Sequence, residues 1–558
     1  MRRLPVLCLV LAPSLASAGG LILPGSGAIS TSRAGAAVAS VDDGEALSVN
    51  PAGLAKAKGT TITISAAIIG YSLEFQRAGT YDQISDEDRP FEGQPYAPVS
   101  NDPDLPLGIG KYQPIPTFAI VSDLGGRVKG LHVAAGLYAP NAYPFRDMTG
   151  GYQFNADFDA PPPPARYDIM KQEAAIVFPS VAVAYSILPE LDVGARFSVG
   201  FGKVKSTVAV WGSPGNYEEA VTRDAEFTAD ASDNFIPTGA IGANYRPTPN
   251  IEIGANFNWR AVVHARGRAT ETAGPKVEFN MQPTTIGPAA ANFARCVPNP
   301  SADEAGTFEE QNVCVDFQLP MSAQLGARYK FLDEAGKLRG DIELDVGWEN
   351  WGKRCEDAVA FVEGCTSPGQ FRVVVDSAAY VDVNGDGDLT EDEIAVHLKD
   401  NQVEHRFQDT WNVRLGGSYV IPVGDVARET SVIVRGGVGY DSQAAEDNWL
   451  RTDIDGAARV TTAVGASYRT RRWEATLGFG AILEGENTNG NPCNPMPGGG
   501  VTQPGCGPDG EQRPIEDREG PDPINPIVVP AQQSESPVNK GTLTSSYLMF
   551  MLGFTTWF

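Results

Sequence analysis

The chain ends on LTSSYLMFMLGFTTWF (543–558), and the reading of this stretch decides the fold. Successive side chains of a β-strand point to opposite faces. With that period Leu548, Phe550, Leu552, Phe554, Thr556 and Phe558 share one face, and Tyr547, Met549, Met551, Gly553, Thr555 and Trp557 share the other. The first face is apolar apart from Thr556 and suits lipid. The second carries small and amphipathic groups and suits a lumen. Tyr547, Trp557 and Phe558 also fit an interfacial aromatic girdle. The competing interpretation is an ordinary final strand of a soluble core.

Working back from that end, the same alternation recurs in short runs. They are 60–77, 115–122, 131–138, 174–187, 191–210, 237–245, 251–268, 317–331, 338–351, 407–421, 430–440, 459–468 and 473–482. With 543–558 this makes fourteen candidate strands, joined alternately by short turns and long polar segments. That rhythm is the signature of an all-β, 14-stranded antiparallel transmembrane β-barrel with long extracellular loops and short periplasmic turns. Closure has a physical cause: bilayer hydrocarbon cannot satisfy an open sheet edge. A secreted sandwich or propeller does not demand the alternation of connector lengths, and no blade-length repeat is present.

Composition agrees. The 558 residues carry a formal net charge of −26, which argues against a nucleic-acid partner because phosphate binding needs Lys and Arg clusters. Beyond the N-terminus no run of 18 or more apolar residues occurs, so membrane crossing by helices is excluded. Residues 1–18 read as a signal peptide: Met1-Arg2-Arg3, an apolar stretch to Leu15, then Ala16-Ser17-Ala18 before Gly19. The mature chain is thus exported. Its six cysteines fall into local pairs within polar segments: Cys296 with Cys314, Cys355 with Cys365, and Cys493 with Cys506. In an exported chain this spacing reads as disulfides.

Residues 19–58, GGLILPGSGAISTSRAGAAVASVDDGEALSVNPAGLAKAK, break the pattern. They are small, mildly apolar and without strand alternation. Leu21, Ile22, Leu23, Val38, Val41, Leu47, Val49 and Leu54 are too many apolar residues for a solvated linker. The expectation is an N-terminal hatch plugging the lumen of a barrel that occupies 59–558.

A terminal phenylalanine resembles the insertion signal of outer-membrane barrels, which implies the barrel assembly machinery as a partner during insertion. The chain as a whole resembles the FadL/TodX family of outer-membrane transporters for hydrophobic compounds. Asn50-Pro51-Ala52-Gly53-Leu54 is similar to that family's hatch motif. Further similar stretches are Phe178 to Tyr185, Leu319-Pro320, Trp411 to Tyr419, Arg435 to Asp441 and Gly465 to Tyr468, in the family's order over nearly the whole chain. The resemblance implies a hatch in the lumen and passive uptake of long-chain fatty acids or other hydrophobic small molecules. It also implies a kink in the third strand that opens sideways into outer-membrane lipid. Pro140 and Asn141 interrupt that strand here, and a proline removes a ladder donor.

One outer segment, 352–404, carries an addition. Asp382 to Glu393, DVNGDGDLTEDE, matches the twelve-position EF-hand calcium loop. Asp382, Asn384 and Asp386 supply oxygens, and Gly387 permits the turn. Asp388 offers its carbonyl, Thr390 acts directly or through water, and Glu393 closes the site. Without a paired hand, the calcium ion is expected to stiffen the loop rather than to signal. The stretch EDEIAVHLK downstream reads as one short helix; a solvated acidic turn is the plainer alternative.

No covalent chemistry is implied: Gly-x-Ser-x-Gly and HExxH are both absent, so the chain reads as a non-enzyme. Apolar cargo would adsorb among loop aromatics such as Phe91, Tyr96, Tyr143 and Phe145 and move to a lumen pocket above the hatch. Arg414 or Arg260 would face a fatty carboxylate, although strand arginines commonly serve lumen ion pairs. Asn50-Pro51 makes a structural turn and, in this family context, a hatch hinge. A general porin and a calcium-stiffened adhesin are the rival functions.

Overall fold

In a computed structural model of the chain, residues 22–57, 59–105, 110–140, 142–211, 219–279, 282–283, 285–288, 296, 312–355, 365–381, 391–397, 401–423, 430–446, 450–489 and 541–558 are described. Fourteen wall strands follow one another: β1 Thr60–Arg77, β2 Tyr112–Ser122, β3 Leu131–Tyr138, β4 Lys171–Leu188, β5 Leu191–Trp211 and β6 Asp224–Thr248. Next come β7, Ile251–Asn258 continued by Ala261–Ala273, and β8, Val313–Leu319 continued by Ser322–Leu332. The circuit is completed by β9 Leu338–Glu349, β10 Thr410–Pro422, β11 Ser431–Asp441, β12 Arg459–Arg469, β13 Trp473–Asn489 and β14 Gly541–Trp557.

Every strand pairs antiparallel with its sequence neighbours, and β14 pairs with β1 from Thr61 opposite Trp557 to Arg77 opposite Gly541. The sheet is therefore closed, with no edge left to water or lipid. Phe558 completes the seam, since its N–H donates to the Thr60 carbonyl at 2.9 Å.

Alternation along β14 settles which face is which. Leu548, Phe550, Leu552 and Phe554 are between 41% and 48% exposed on the outside, whereas Tyr547, Met549 and Met551 are buried. The same outward apolar series runs through Val181 and Val183 of β4, Phe197 and Phe201 of β5, Ile241 of β6, Leu344 of β9 and Leu477 of β13. A belt of this kind is stable only against hydrocarbon.

Strands β6, β7 and β8 differ most from the sequence expectation, and β13 runs on to Asn489 rather than ending at 482. β6 begins at Asp224 rather than near 237, because residues 225–232 pair with long extensions of β5 and β7. β7 and β8 are each interrupted, at Trp259-Arg260 and at Pro320-Met321, with the register of the two halves preserved. Downstream of the acidic loop, the expected short helix is a single 3-10 turn, Glu391–Glu393, followed by a strand, Ile394–His397. That strand pairs with Ser377–Tyr380, so hairpin pairing outcompetes helix here.

Between β8 and β10, Gln370–Val375 pairs with the β8 extension and with Asn401–Glu404, raising the wall on the long-loop side. Two of the expected disulfides are present: Cys296 with Cys314 at a Cα separation of 5.5 Å, and Cys355 with Cys365 at 6.0 Å. Residues 1–18, Cys493, Cys506 and most of the calcium loop, 382–390, lie outside the described residues.

Leu477 projects from the belt at 64% exposure. Leu477→Arg is expected to destabilise the inserted barrel by about 2–4 kcal/mol, the cost of a charge on the lipid face near the midplane. Urea unfolding from vesicles measures it, with Leu477→Ala as the control.

Candidate functional site

The bore is filled by residues 22–57, as the short apolar pattern of the N-terminus predicted. The segment folds as two single-turn helices, α1 Ala28–Thr31 and α2 Ala46–Val49, then a 3-10 helix Pro51–Lys56. Leu23, Ser30, Arg33, Leu47, Asn50 and Leu54 are buried. Such short, irregular pieces cannot satisfy their own backbone, and every buried N–H must find an acceptor.

The wall supplies these acceptors from β9. Glu343 accepts the N–H groups of Ala39 (2.6 Å) and Ser40 (3.2 Å), and Asp345 those of Ala37 (2.8 Å) and Val38 (3.0 Å). Arg33 answers with ion pairs to Asp341 at 2.8 Å and Glu343 at 2.9 Å. Arg328 and Lys330 of β8 extend the network through Asp341 and Glu252. Within the hatch, Glu45 accepts Ile29 and Ser30 N–H, both at 2.8 Å.

The hatch also lies unusually close to the wall, and glycines make room. A Cβ at Gly242 of β6 would stand 2.0 Å from the Asn50 side-chain oxygen, and one at Gly194 of β5 2.4 Å from the Pro51 carbonyl carbon. Gly254, Gly416, Gly437, Gly465 and Gly553 meet hatch atoms in the same way. Asn50 uses both ends of its amide: the nitrogen donates to the carbonyls of Val38 (2.8 Å) and Ala243 (3.3 Å), and the oxygen accepts Ala52 N–H (3.1 Å). Asn50, Pro51 and Ala52 thus seat the hatch on a side-chain-free patch of β5 and β6.

Between the hatch and the β3–β8 side of the wall lies a cavity of about 150 Å³. Ile22, Leu23 and Val49 form its hatch side; Tyr138, Pro140, Phe178, Trp259, Leu319 and Pro320 contribute apolar wall. Polar and charged side chains line it as well, among them Arg196, Asn258, Gln324, Glu349 and Arg414, so apolar walls are combined with groups able to orient a ligand. At this level β3 stops. Tyr138 still pairs with Phe178, but the ladder to β4 resumes only at Arg146 and Asp147. Tyr112 to Pro116 of β2 lack β3 partners. Pro140 therefore lies at a break beside the cavity; Asn141 falls outside the described residues.

The two arginines singled out from sequence diverge. Arg414 does line the cavity, but its guanidinium is committed to Asp441 at 2.6 Å. Arg260 is half-buried and is not among the cavity-lining residues. The residue that sequence reasoning missed is Arg196 of β5. It is 5% exposed, lines the cavity, and stacks over the Tyr138 ring at 4.7 Å. Its terminal nitrogens donate to the Leu47 carbonyl (2.8 Å) and the Asn258 side chain (3.2 Å), while its Nε has no partner. Among the described residues, no carboxylate pairs with it. Its inward register between Gly194 and Ser198 was visible in the sequence, but Arg414 shares that register between Asn412 and Gly416, so no local signal singled it out.

The loop aromatics are not a free landing surface. Tyr96, Tyr143 and Phe145 are buried, Tyr96 beneath Arg77 and Tyr143 against Tyr71. Arg77 pairs with Glu219 and Arg166 with Asp224, so the described parts of the first three long connections pack against one another.

The profile of the outer membrane protein transport proteins (OMPP1/FadL/TodX) matches residues 9–483. By sequence, no curated protein matches the chain. Among solved structures, a Pseudomonas aeruginosa FadL homologue superposes with a TM-score of 0.60 at 13% identity, over 96% of this chain and 99% of the other. The toluene transporter TbuX of Ralstonia pickettii gives 0.54 at 13% identity, and the toluene transporter TodX of P. putida 0.53 at 12% identity, both with the same coverage of the two chains.

Gly242→Val should unseat the hatch without opening the wall, because the clash is internal. The expected outcome is normal heat-modifiable migration of the folded barrel together with new permeability of proteoliposomes to small sugars, read by liposome swelling.

Proposed function

Since the chain belongs to the OMPP1/FadL/TodX family of outer membrane transport proteins, we propose that it takes up hydrophobic molecules bearing a carboxylate, fatty acids foremost, through the cavity beside the hatch. The observation that carries this reading is Arg196. A buried guanidinium without a carboxylate partner is costly in an apolar site, and a ligand carboxylate is the natural complement. The long loops face outward and the short turns the periplasm in this reading. Cargo enters from the loop side, and movement of the Asn50-Pro51 segment or the break at Pro140 gives it a way on. Arg414 is held by Asp441 and serves the wall rather than the ligand.

A purely hydrocarbon cargo is the second reading, favoured by the cavity's size. A cavity of about 150 Å³ accommodates a single aromatic ring. Equilibrium binding separates the two. Arg196→Gln is expected to weaken binding of a long-chain fatty acid by roughly 10–100-fold, the worth of hydrogen bonds to a charged group, and to leave toluene binding nearly unchanged. Equal losses for both ligands would contradict the carboxylate assignment.

The loop from Asp382 to Glu393 is further proposed to bind calcium. The support is the ligand spacing, together with the hairpin that closes on it, Val381 N–H donating to the Glu393 carbonyl at 2.9 Å. Terbium luminescence should report a site with an affinity of about 10⁻⁴–10⁻³ M, as in extracellular modules. Glu393→Gln should abolish it, together with calcium-dependent protection of the loop from protease.

A further inference from the structure

We propose that the wall carries a second membrane-facing portal, between β6 and β7, through which the apolar part of a cavity-bound molecule reaches lipid. This rests on the transport reading above and is separate from the break after β3.

The β6–β7 ladder runs from Ala273 opposite Ala225 to Arg266 opposite Ser232, and resumes at Asn258 opposite Ala240. Between these points equal stretches, 233–239 and 259–265, face each other without ladder pairing apart from the single Trp259–Gly239 backbone bond at one end, so the gap is a seam and not a register shift. Each rim is held by its other neighbour: Ile236 and Pro237 by Gly200 and Val199 of β5, and Ala261 to Ala265 by Leu319 to Val315 of β8.

Side chains replace the missing ladder at both ends. The Asp233 carboxylate accepts His264 N–H at 2.7 Å and Phe235 N–H at 2.9 Å. The Thr238 hydroxyl donates to the Trp259 carbonyl at 2.8 Å, beside the bond from Trp259 N–H to the Gly239 carbonyl at 2.8 Å. Pro237 has no N–H to satisfy. A strand pair that had merely frayed in hydrocarbon would leave bare donors at several kcal/mol each; these substitutions mark the seam as a built feature.

The seam joins two apolar regions. On the inside its rims, Thr238, Trp259 and Ala261, are part of the cavity wall. Ile236 and Val263, one on each rim, are buried in one packed cluster and close the inner mouth. On the outside Phe235 and Trp259 are 67% and 54% exposed, on the same outward face as Phe197 and Phe201. A cavity of this size holds a ring or a short stretch of acyl chain, so the remainder of a long tail has to leave it. The seam offers a path sideways that does not thread the hatch.

The test uses the full-length protein in vesicles and a pyrene-labelled fatty acid. Probe binding and accelerated transfer into the bilayer by the unsubstituted protein establish the reading on which the portal rests; absence of both sinks that reading and the portal with it. Given binding, Ile236→Ala is expected to raise the transfer rate and Ile236→Trp to lower it about ten-fold, the scale of overpacking a filled site, with probe affinity retained in both. Transfer at the unsubstituted rate by either variant, with affinity intact, overturns the portal. Should Ile236→Trp fail to insert, the rate of Ile236→Ala decides alone.

Discussion

The structure depends on one constraint: an irregular segment of backbone sits inside a tube surrounded by hydrocarbon, and its polar groups must be satisfied from the wall. In lipid only a closed barrel can satisfy its own ladder. The hatch has no ladder, and its helices run for one or two turns. Glu343 and Asp345 take over that task by accepting four successive hatch N–H groups, and Arg33 balances the charge they bring into the bore. Removing one member of such a group strands a buried charge, which costs about 3–5 kcal/mol. The hatch is thus positioned by hydrogen bonds and ion pairs, and its apolar residues fill the space that these bonds leave.

The close approach has a second requirement. Carboxylate arms reach the hatch only if its backbone lies almost on the wall, and inward glycines at Gly194, Gly242, Gly254, Gly416 and Gly437 allow this. They are spread over β5, β6, β7, β10 and β11, so the seat is a belt around the lumen. The cavity is what remains where the belt gives way to larger residues, Tyr138, Phe178, Trp259 and Leu319. Wall breaks adjoin the same cavity at Pro140 and at the β6–β7 seam. A plugged tube with a small side chamber of aromatic and aliphatic walls and a few charged groups suits hydrophobic cargo and differs from the open bore of a general porin.

Much of this was legible in the chain before any coordinates. Alternation in 543–558 assigned the lipid and lumen faces residue by residue, and the long–short rhythm of connectors gave the strand count, because both follow from local geometry. The acidic alternation Asp341, Glu343, Asp345 was passed over in the sequence, although its two-residue period puts all three on one face. The cavity was not legible. It is assembled from the hatch and from strands separated by hundreds of residues, and nothing local distinguishes Arg196 from the paired Arg414. The interruption of β7 was equally hidden, because apolar and polar residues continue to alternate through Trp259 and Arg260. The helix expected after the acidic loop failed for a similar reason: EDEIAVHLK has helical propensity, and pairing with Ser377–Tyr380 overrides it.

Sugar permeation through the reconstituted protein tests the central claim most directly. Proteoliposomes holding the intact chain are predicted to resist swelling in small sugars, and those holding a chain without residues 22–57 to swell rapidly. Swelling of the intact-chain liposomes at the rate of an open porin would contradict the account, since a hatch fastened to β9 and seated on the glycine belt leaves no such path.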